Sequence, residues 1–138
     1  MRTDAITPSA TGKKVVNIFW FRRDLRLQDN AGLYHALKEK VPVLPLFIFD
    51  RNILDELEDK ADRRVEFIHQ ALEVIQSSLV IMGSSLDVRY GSPMEIFRNL
   101  LNEYSIQNVF TNHDYEPYAR DRDREIEKLV TSSGASLH

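Results

Sequence analysis

The chain has 138 residues, 43% hydrophobic and 28% charged, which suits one soluble domain with a real core and not two. Eighteen Lys and Arg against 21 Asp and Glu give a formal charge of −3, opposite in sign to a domain that grips nucleic acid over its whole surface. With no cysteine, a disulfide framework, a thiolate metal site and a cysteine nucleophile are excluded together, and a reducing, cytoplasmic setting fits.

Residues 1–14, MRTDAITPSATGKK, lack the apolar stretch of a signal peptide and read as a flexible polar tail ahead of a domain over 15–138. No apolar run approaches the roughly 18 residues of a membrane span. VVNIFWF (15–21) is too short for a helix and too apolar for an exposed strand, so it predicts a buried central strand. Asp29 or Asn30 then caps a helix to about Lys40, with Leu33, Ala36 and Leu37 on its apolar side. VLPLFIF (43–49) is the second buried strand, where Pro45 removes a ladder donor and suggests a strand end or a bulge. From about Asp62 to Met82, Val65, Ile68, Leu72, Ile75 and Leu79 recur at three- and four-residue steps, the stripe of a long helix packed on a sheet, which Gly83 ends. LDVRY (86–90) is a third strand. Ser92, Pro93 and Glu95 then read as N-cap, N1 proline and capping-box carboxylate of a helix burying Ile96, Phe97, Leu100, Leu101 and Tyr104. NVFTN (108–112) is a fourth strand, and a charged helix runs from about Tyr118 to Ser133 on Ile126, Leu129 and Val130, with Gly134 as its stop. ASLH opens a fifth strand just where the chain ends, which reads as a fragment or an excised domain.

The alternation predicts an α/β fold: a doubly wound, mostly parallel five-stranded sheet, Rossmann-like, with helices on both faces. Ligands of such sheets bind beyond the carboxyl ends of the strands, at the switch point. The loops there begin at Phe21 and Arg22 to Asn30 after the first strand, at Asp50, Arg51 and Asn52 after the second, and at Asn112 to Ala119 after the fourth. Phe21 or Tyr118 offers a ring on which a planar ligand could stack, with arginines and carboxylates to orient it. Equally, Arg22, Arg23 and Arg26 with Asp24 suit a structural ion-pair network, and Arg120 to Glu125 a solvated helix face with local pairs. Walker A and G-x-G-x-x-G patterns are missing, and His35, His69, His113 and His138 lack close metal-ligand spacing. His113 beside Asp114 and Glu116 lacks an accompanying nucleophile motif, so no catalytic or metal residue is assigned.

Ile18 to Asn30, IFWFRRDLRLQDN, resembles the opening of DNA photolyases and cryptochromes, a strand followed by W-F-R-x-D-L-R-L-x-D-N. Pro42 to Asp50, and Tyr115-Glu116-Pro117-Tyr118 with Arg122-Asp123, follow in register, so the likeness covers nearly all of 15–138 but only the N-terminal domain of that family. The resemblance implies that FAD, damaged DNA and the splitting of pyrimidine dimers belong to a C-terminal helical domain, that partner being absent here, and that this chain alone repairs nothing. It implies for this domain a light-harvesting pigment, held by Phe21, Arg22, Asp24, Leu25, Asp50, Asn112, Glu116, Tyr118, Ala119 and Arg120. Folate-binding members carry Asn-Glu where this chain has Tyr118-Ala119, whereas Pro117-Tyr118-Ala119 is similar to the Pro-Tyr-Gly of members using deazaflavin or flavin, so deazaflavin or FMN is expected ahead of methenyl-folate. Ala119 in place of that glycine puts a methyl group near the pocket. A cryptochrome photoreceptor and a structural nucleotide-binding α/β module stand as alternatives, self-association of an exposed docking face is anticipated, and Arg22→Ala or Asp24→Ala is expected to weaken pigment binding while leaving the fold.

Overall fold

The structure is a computed structural model and describes residues 12–22, 25, 27, 30–50, 63–81, 83–112 and 117–138. In chain order its elements are β1 (Lys14–Phe21), α1 (Ala31–Lys38), β2 (Val43–Asp50), α2 (Arg63–Ile81), β3 (Asp87–Gly91), α3 (Pro93–Glu103), β4 (Tyr104–Phe110), α4 (Pro117–Ser132) and β5 (Ser136–Leu137). The strands form one parallel sheet in the order β3-β2-β1-β4-β5. Right-handed crossovers that step outward from β1 in two directions must place their helices on opposite faces. The cores record this. Val16, Ile18 and Trp20 of β1 pack with Ile96, Phe97 and Leu100 of α3 and Ile126 and Val130 of α4. Phe19 and Phe21 turn the other way, to Leu33 and Ala36 of α1 and Leu72, Ile75 and Leu79 of α2. The α1/α2 face is built on phenylalanine, with Phe19 edge-on to Phe21 at 4.7 Å and Phe47 edge-on to Phe49 at 5.0 Å. β5 forms as expected, parallel to β4. Residues 1–11 of the anticipated tail lie outside the described residues, and the first strand starts one residue early, at Lys14.

Pro45 marks neither an end nor a bulge: β2 runs through it to Asp50, in unbroken register with β1. Asn17 N–H donates to Pro42 O at 2.8 Å. In a parallel ladder this aims the amides of Leu44 and Leu46 at β1 and the nitrogen of Pro45 at β3. There pairing starts only at Leu46 with Asp87, so no ladder bond is lost. The bulge lies in β4 instead, where the register with β1 slips between Val16 and Ile18. It puts Ile106 and Val109, three residues apart, on the same face. β4 also starts four residues before the expected strand: α3 passes into it without a loop, and Tyr104 is the first strand residue rather than a helical one. Inside the bulge Asn108 Nδ2 donates to the buried Asn17 Oδ1 at 3.3 Å, while Asn108 Oδ1 pairs with His138 Nε2 at 2.9 Å, a polar thread across three strands.

Helix ends follow their chemistry with one departure. At Gly83 (φ +80°) the N–H donates to Val80 O and that of Ser84 to Leu79 O; at Gly134 (φ +95°) the same pair of bonds runs from Gly134 to Thr131 and from Ala135 to Val130. Both are Schellman stops, which need a left-handed residue at that position. Ser92 sits at the N-cap of α3 before Pro93, but its hydroxyl makes no cap hydrogen bond, so the capping box is not formed; Pro93 removes one of the donors a cap would serve.

The edge strand β3 is tied to the end of α3 by Arg89, which donates to Asp87 and, at 3.1 and 2.8 Å, to both oxygens of Glu103. These hydrogen bonds from Arg89 hold the Glu103 carboxyl below its ordinary 4.5, against a smaller opposing effect of burial. The shift exists only in the folded chain, so its stabilisation is present above that value and is lost as pH falls through the lowered one. Between about pH 6 and pH 3, Glu103→Gln should lose less stability than the unaltered chain, measured as the urea midpoint at each pH. The effect is small because the pair is largely exposed.

Candidate functional site

The sheet order places the switch point between β1 and β4. Thr111 spans it, with Oγ1 donating to Trp20 O at 3.0 Å. Two polar assemblies flank this crevice, one on each face of the sheet.

On the α4 side, β1 continues its alternation past Trp20 to Arg22. The Trp20 indole meets Phe97 edge-on at 5.1 Å on one side, while the guanidinium carbons of Arg22 and Arg122 lie 4.3 and 5.2 Å from its ring centre. Arg22 donates from both terminal nitrogens to Asp123, each bond 2.7 Å, in the fork geometry that Arg and a carboxylate share. Arg122 lies 3.4 Å from Asp50 Oδ2 at the end of β2, and its Nε 3.8 Å from Asp123 Oδ1. Among the described residues, two cations and two anions thus cluster over one indole, latching the first turns of α4 to the ends of β1 and β2. The described residues of this cluster include no nucleophile.

On the α1 side, Asn30 caps the helix, its Oδ1 accepting from Leu33 N–H at 3.1 Å. Asn112, just past β4, accepts from Gly32 N–H at 2.9 Å and donates to Asn30 Oδ1 at 2.7 Å. A groove of about 590 Å³ opens beside these residues, lined by His35 and Lys38 of α1 and by Phe110 and His138, whose rings stack at 5.0 Å. Residue 32 must be glycine for close approach: a Cβ would fall 2.7 Å from Asn112 Oδ1 and 2.9 Å from Phe19 Cε1. Gly32→Ala gains about 1 kcal/mol of helix propensity but forces an overpacking cost of about 1–3 kcal/mol. A net loss of about 1 kcal/mol should appear in urea unfolding.

The residues expected to hold a ligand separate into groups. Arg22 and Asp50 belong to the Arg–Asp cluster on the α4 face and Asn112 to the asparagine pair on the α1 face, so the three flank the switch point from opposite sides. Phe21 does not: it is 1% exposed and lies in the phenylalanine core of the α1/α2 face, so it offers no ring for stacking. Leu25 is partly buried against that same core, and Arg120 stands exposed on α4. Asp24 and Glu116 lie outside the described residues, as do Arg23, Arg26, Arg51, Asn52, His113, Asp114 and Tyr115. Tyr118 and Ala119 fall in the first turn of α4, their side chains outside the description. The solvated-face reading of 120–125 needs correcting. Arg124–Asp121 is such an exposed pair, but Arg122 and Asp123 turn inward because they stand one helical turn before Ile126 and two before Val130. That spacing was the available signal; the charge alternation concealed it. Among the described residues no group of three His, Asp or Glu could hold a metal ion, and no helix is long and apolar enough to cross a membrane.

Comparison with known proteins gives this geometry a lineage. The profile of the DNA photolyase family matches residues 17–138. A deoxyribodipyrimidine photo-lyase of Synechococcus is 35% identical over 117 residues, covering 85% of this chain and 24% of its own length. Cryptochrome-1 of Gallus gallus is 31% identical over 87% of this chain and 19% of its own. An archaeal photolyase from Sulfolobus tokodaii, whose crystal structure holds two FAD molecules with the implication of a novel light-harvesting cofactor, superposes with a TM-score of 0.79 at 35% identity, over 87% of this chain and 28% of that one. The chain thus spans about a quarter of the length of these relatives, and it belongs to the DNA photolyase family.

Proposed function

We propose that this chain is the light-harvesting-cofactor domain of a deoxyribodipyrimidine photolyase, an α/β unit that holds a pigment beside a separate FAD domain where dimers in DNA are split by light. By itself the chain is not catalytic. The observation that carries this reading is the stacked Arg–Asp cluster at the strand ends beside the switch point, whose described residues include no nucleophile. An antenna passes excitation energy and forms no bond to substrate, so its site needs rigidity, exclusion of water and fixed orientation rather than an acid, base or nucleophile. Deazaflavin, FMN or FAD suits this domain better than methenyl-folate. The archaeal relative with its two FAD molecules supports a flavin-type pigment, and the absence of the Asn-Glu pair at Tyr118-Ala119 speaks against folate. Such a pigment would be met by side chains at the rim, with Arg120 and Leu25 outside the Arg–Asp cluster. Damaged DNA would be contacted through the FAD domain, consistent with a net charge of −3 here.

The test is a titration of the purified chain with deazaflavin, FMN, FAD and methenyl-folate, following each pigment's absorbance and emission. Saturable binding of one flavin-type pigment, at a Kd of about micromolar, is the expected result. Equal, weak, unsaturable signals from all four would overturn the assignment. The match to a cryptochrome favours one second reading, a photoreceptor domain of the same fold. Light-driven repair of dimer-containing DNA by a full-length protein that includes this domain separates the two.

A further inference from the structure

In dinucleotide-binding sheets that wind outward from β1 as this one does, the pyrophosphate sits on the first-turn N–H groups of the helix after β1, where a glycine lets it approach the backbone. The same kind of donors is present at the start of α1, but oxygens from this chain already occupy two of them. Gly32 N–H donates to Asn112 Oδ1 at 2.9 Å, and Leu33 N–H to Asn30 Oδ1 at 3.1 Å. Asn112 Nδ2 donates in turn to Asn30 Oδ1 at 2.7 Å, so the two side chains hold each other in place. The room that glycine provides is used up: the nearest atom to a Cβ on residue 32 would be Asn112 Oδ1 itself, at 2.7 Å. Asn112 arrives from the end of β4, across the switch point from β1, the direction from which a ligand would come.

We infer that Asn112 is a built-in occupant of the phosphate seat on α1, and therefore a specificity-determining residue that closes the α1 side of the crevice to dinucleotide phosphates. An amide oxygen brings a partial negative charge to the helix N-terminus without the desolvation a phosphate must undergo, and its tether spares the entropy of binding. A phosphate arriving there would have to displace Asn112 and leave its amide N–H and Asn30 to find other partners. The missing G-x-G-x-x-G pattern follows from the same fact, since a seat filled from within has no use for a glycine-rich phosphate loop. One corollary rests on the pigment reading above: the phosphate of a flavin entering the crevice is met by side chains, not by the backbone of α1.

The seat can be read directly, without any pigment, by titrating the chain with sodium pyrophosphate and following the Gly32 and Leu33 amides in ¹⁵N–¹H spectra. In the unaltered chain these two resonances should show no saturable shift. In Asn112→Ala the Gly32 N–H is released, and pyrophosphate should bind there at least about tenfold more tightly than to the unaltered chain. Asn112→Asp keeps an oxygen on Gly32 and should stay closed. Where Asn112→Ala does not fold, Asn112→Ser, which is too short to hold Gly32 but leaves a polar group beside Asn30, carries the same expectation. A saturable shift of Gly32 in the unaltered chain overturns the inference. So does a folded Ala or Ser variant whose Gly32 amide ignores pyrophosphate. Neither outcome bears on whether the chain takes a pigment, so the two readings fail separately.

Discussion

Arg22→Ala is expected to lower the unfolding free energy by about 3 kcal/mol, enough to remove a large part of the stability of an ordinary domain. The Arg22 side chain is 6% exposed and spends both terminal nitrogens on Asp123, which is 25% exposed. Truncation leaves the Asp123 carboxylate with only the longer 3.8 Å contact to Arg122, and it strips a cation from the face of Trp20, 4.3 Å away. Breaking a fully buried pair costs about 3–5 kcal/mol; Asp123 keeps some contact with water, which sets the expectation at the low end. Replacing both partners by apolar residues, Arg22→Met with Asp123→Leu, should recover most of the loss, because the penalty comes from the stranded charge rather than from a missing attraction. Urea unfolding followed by far-ultraviolet circular dichroism measures both variants, and a loss below about 1 kcal/mol for Arg22→Ala would place the pair among ordinary surface ion pairs. The same reasoning revises the expectation that Arg22→Ala spares the fold. A fall in pigment affinity in that variant has meaning only alongside its unfolding curve.

Phe97→Ala should be the most damaging single change in the α3/α4 core, costing about 3–5 kcal/mol. Its ring is fully buried among Trp20, Leu100, Val109 and Ile126 and abuts the indole edge-on at 5.1 Å. The neighbours that would have to collapse into the space belong to four elements, β1, β4, α3 and α4, so little relaxation is available and the cavity term stays large. Phe97→Leu keeps most of the volume and should cost markedly less, about 1–2 kcal/mol, in the same urea experiment. Equal losses in the two variants would show that ring packing against Trp20, and not volume, dominates this site.

Much of this architecture is legible in the residues because local pattern and tertiary demand agree. VVNIFWF can only be a strand buried on both faces, and Ile68, Leu72, Ile75 and Leu79 can only be the inner stripe of a helix; both sit as their spacing requires. Where reading fails, two signals compete. Ile106 and Val109 share a face at an odd spacing, so alternation breaks at the bulge and the start of β4 is hidden. Pro45 looks like an interruption because a sequence does not say which neighbour a strand amide faces. Phe21 follows the same alternation as Phe19 and is drawn into the core, although its place at the strand end suggested a ligand contact. Arg122 and Asp123 sit in an unbroken run of charge, and only their spacing from Ile126 and Val130 marks them as inward. The bond between Asn112 and Gly32 was beyond reach for a different reason: eighty residues separate them, and a bond between a side chain and a distant backbone amide leaves no periodic trace.

Trp20 is the chain's one tryptophan, held almost fully buried between a phenyl edge and two guanidinium groups near the carboxyl end of β1. Its position makes it an optical donor built into the protein. Indole emission falls in the near-ultraviolet band where flavins and deazaflavins absorb, so a pigment seated above it would drain that emission by resonance energy transfer. Occupancy would then be countable without a label, one indole to one pigment.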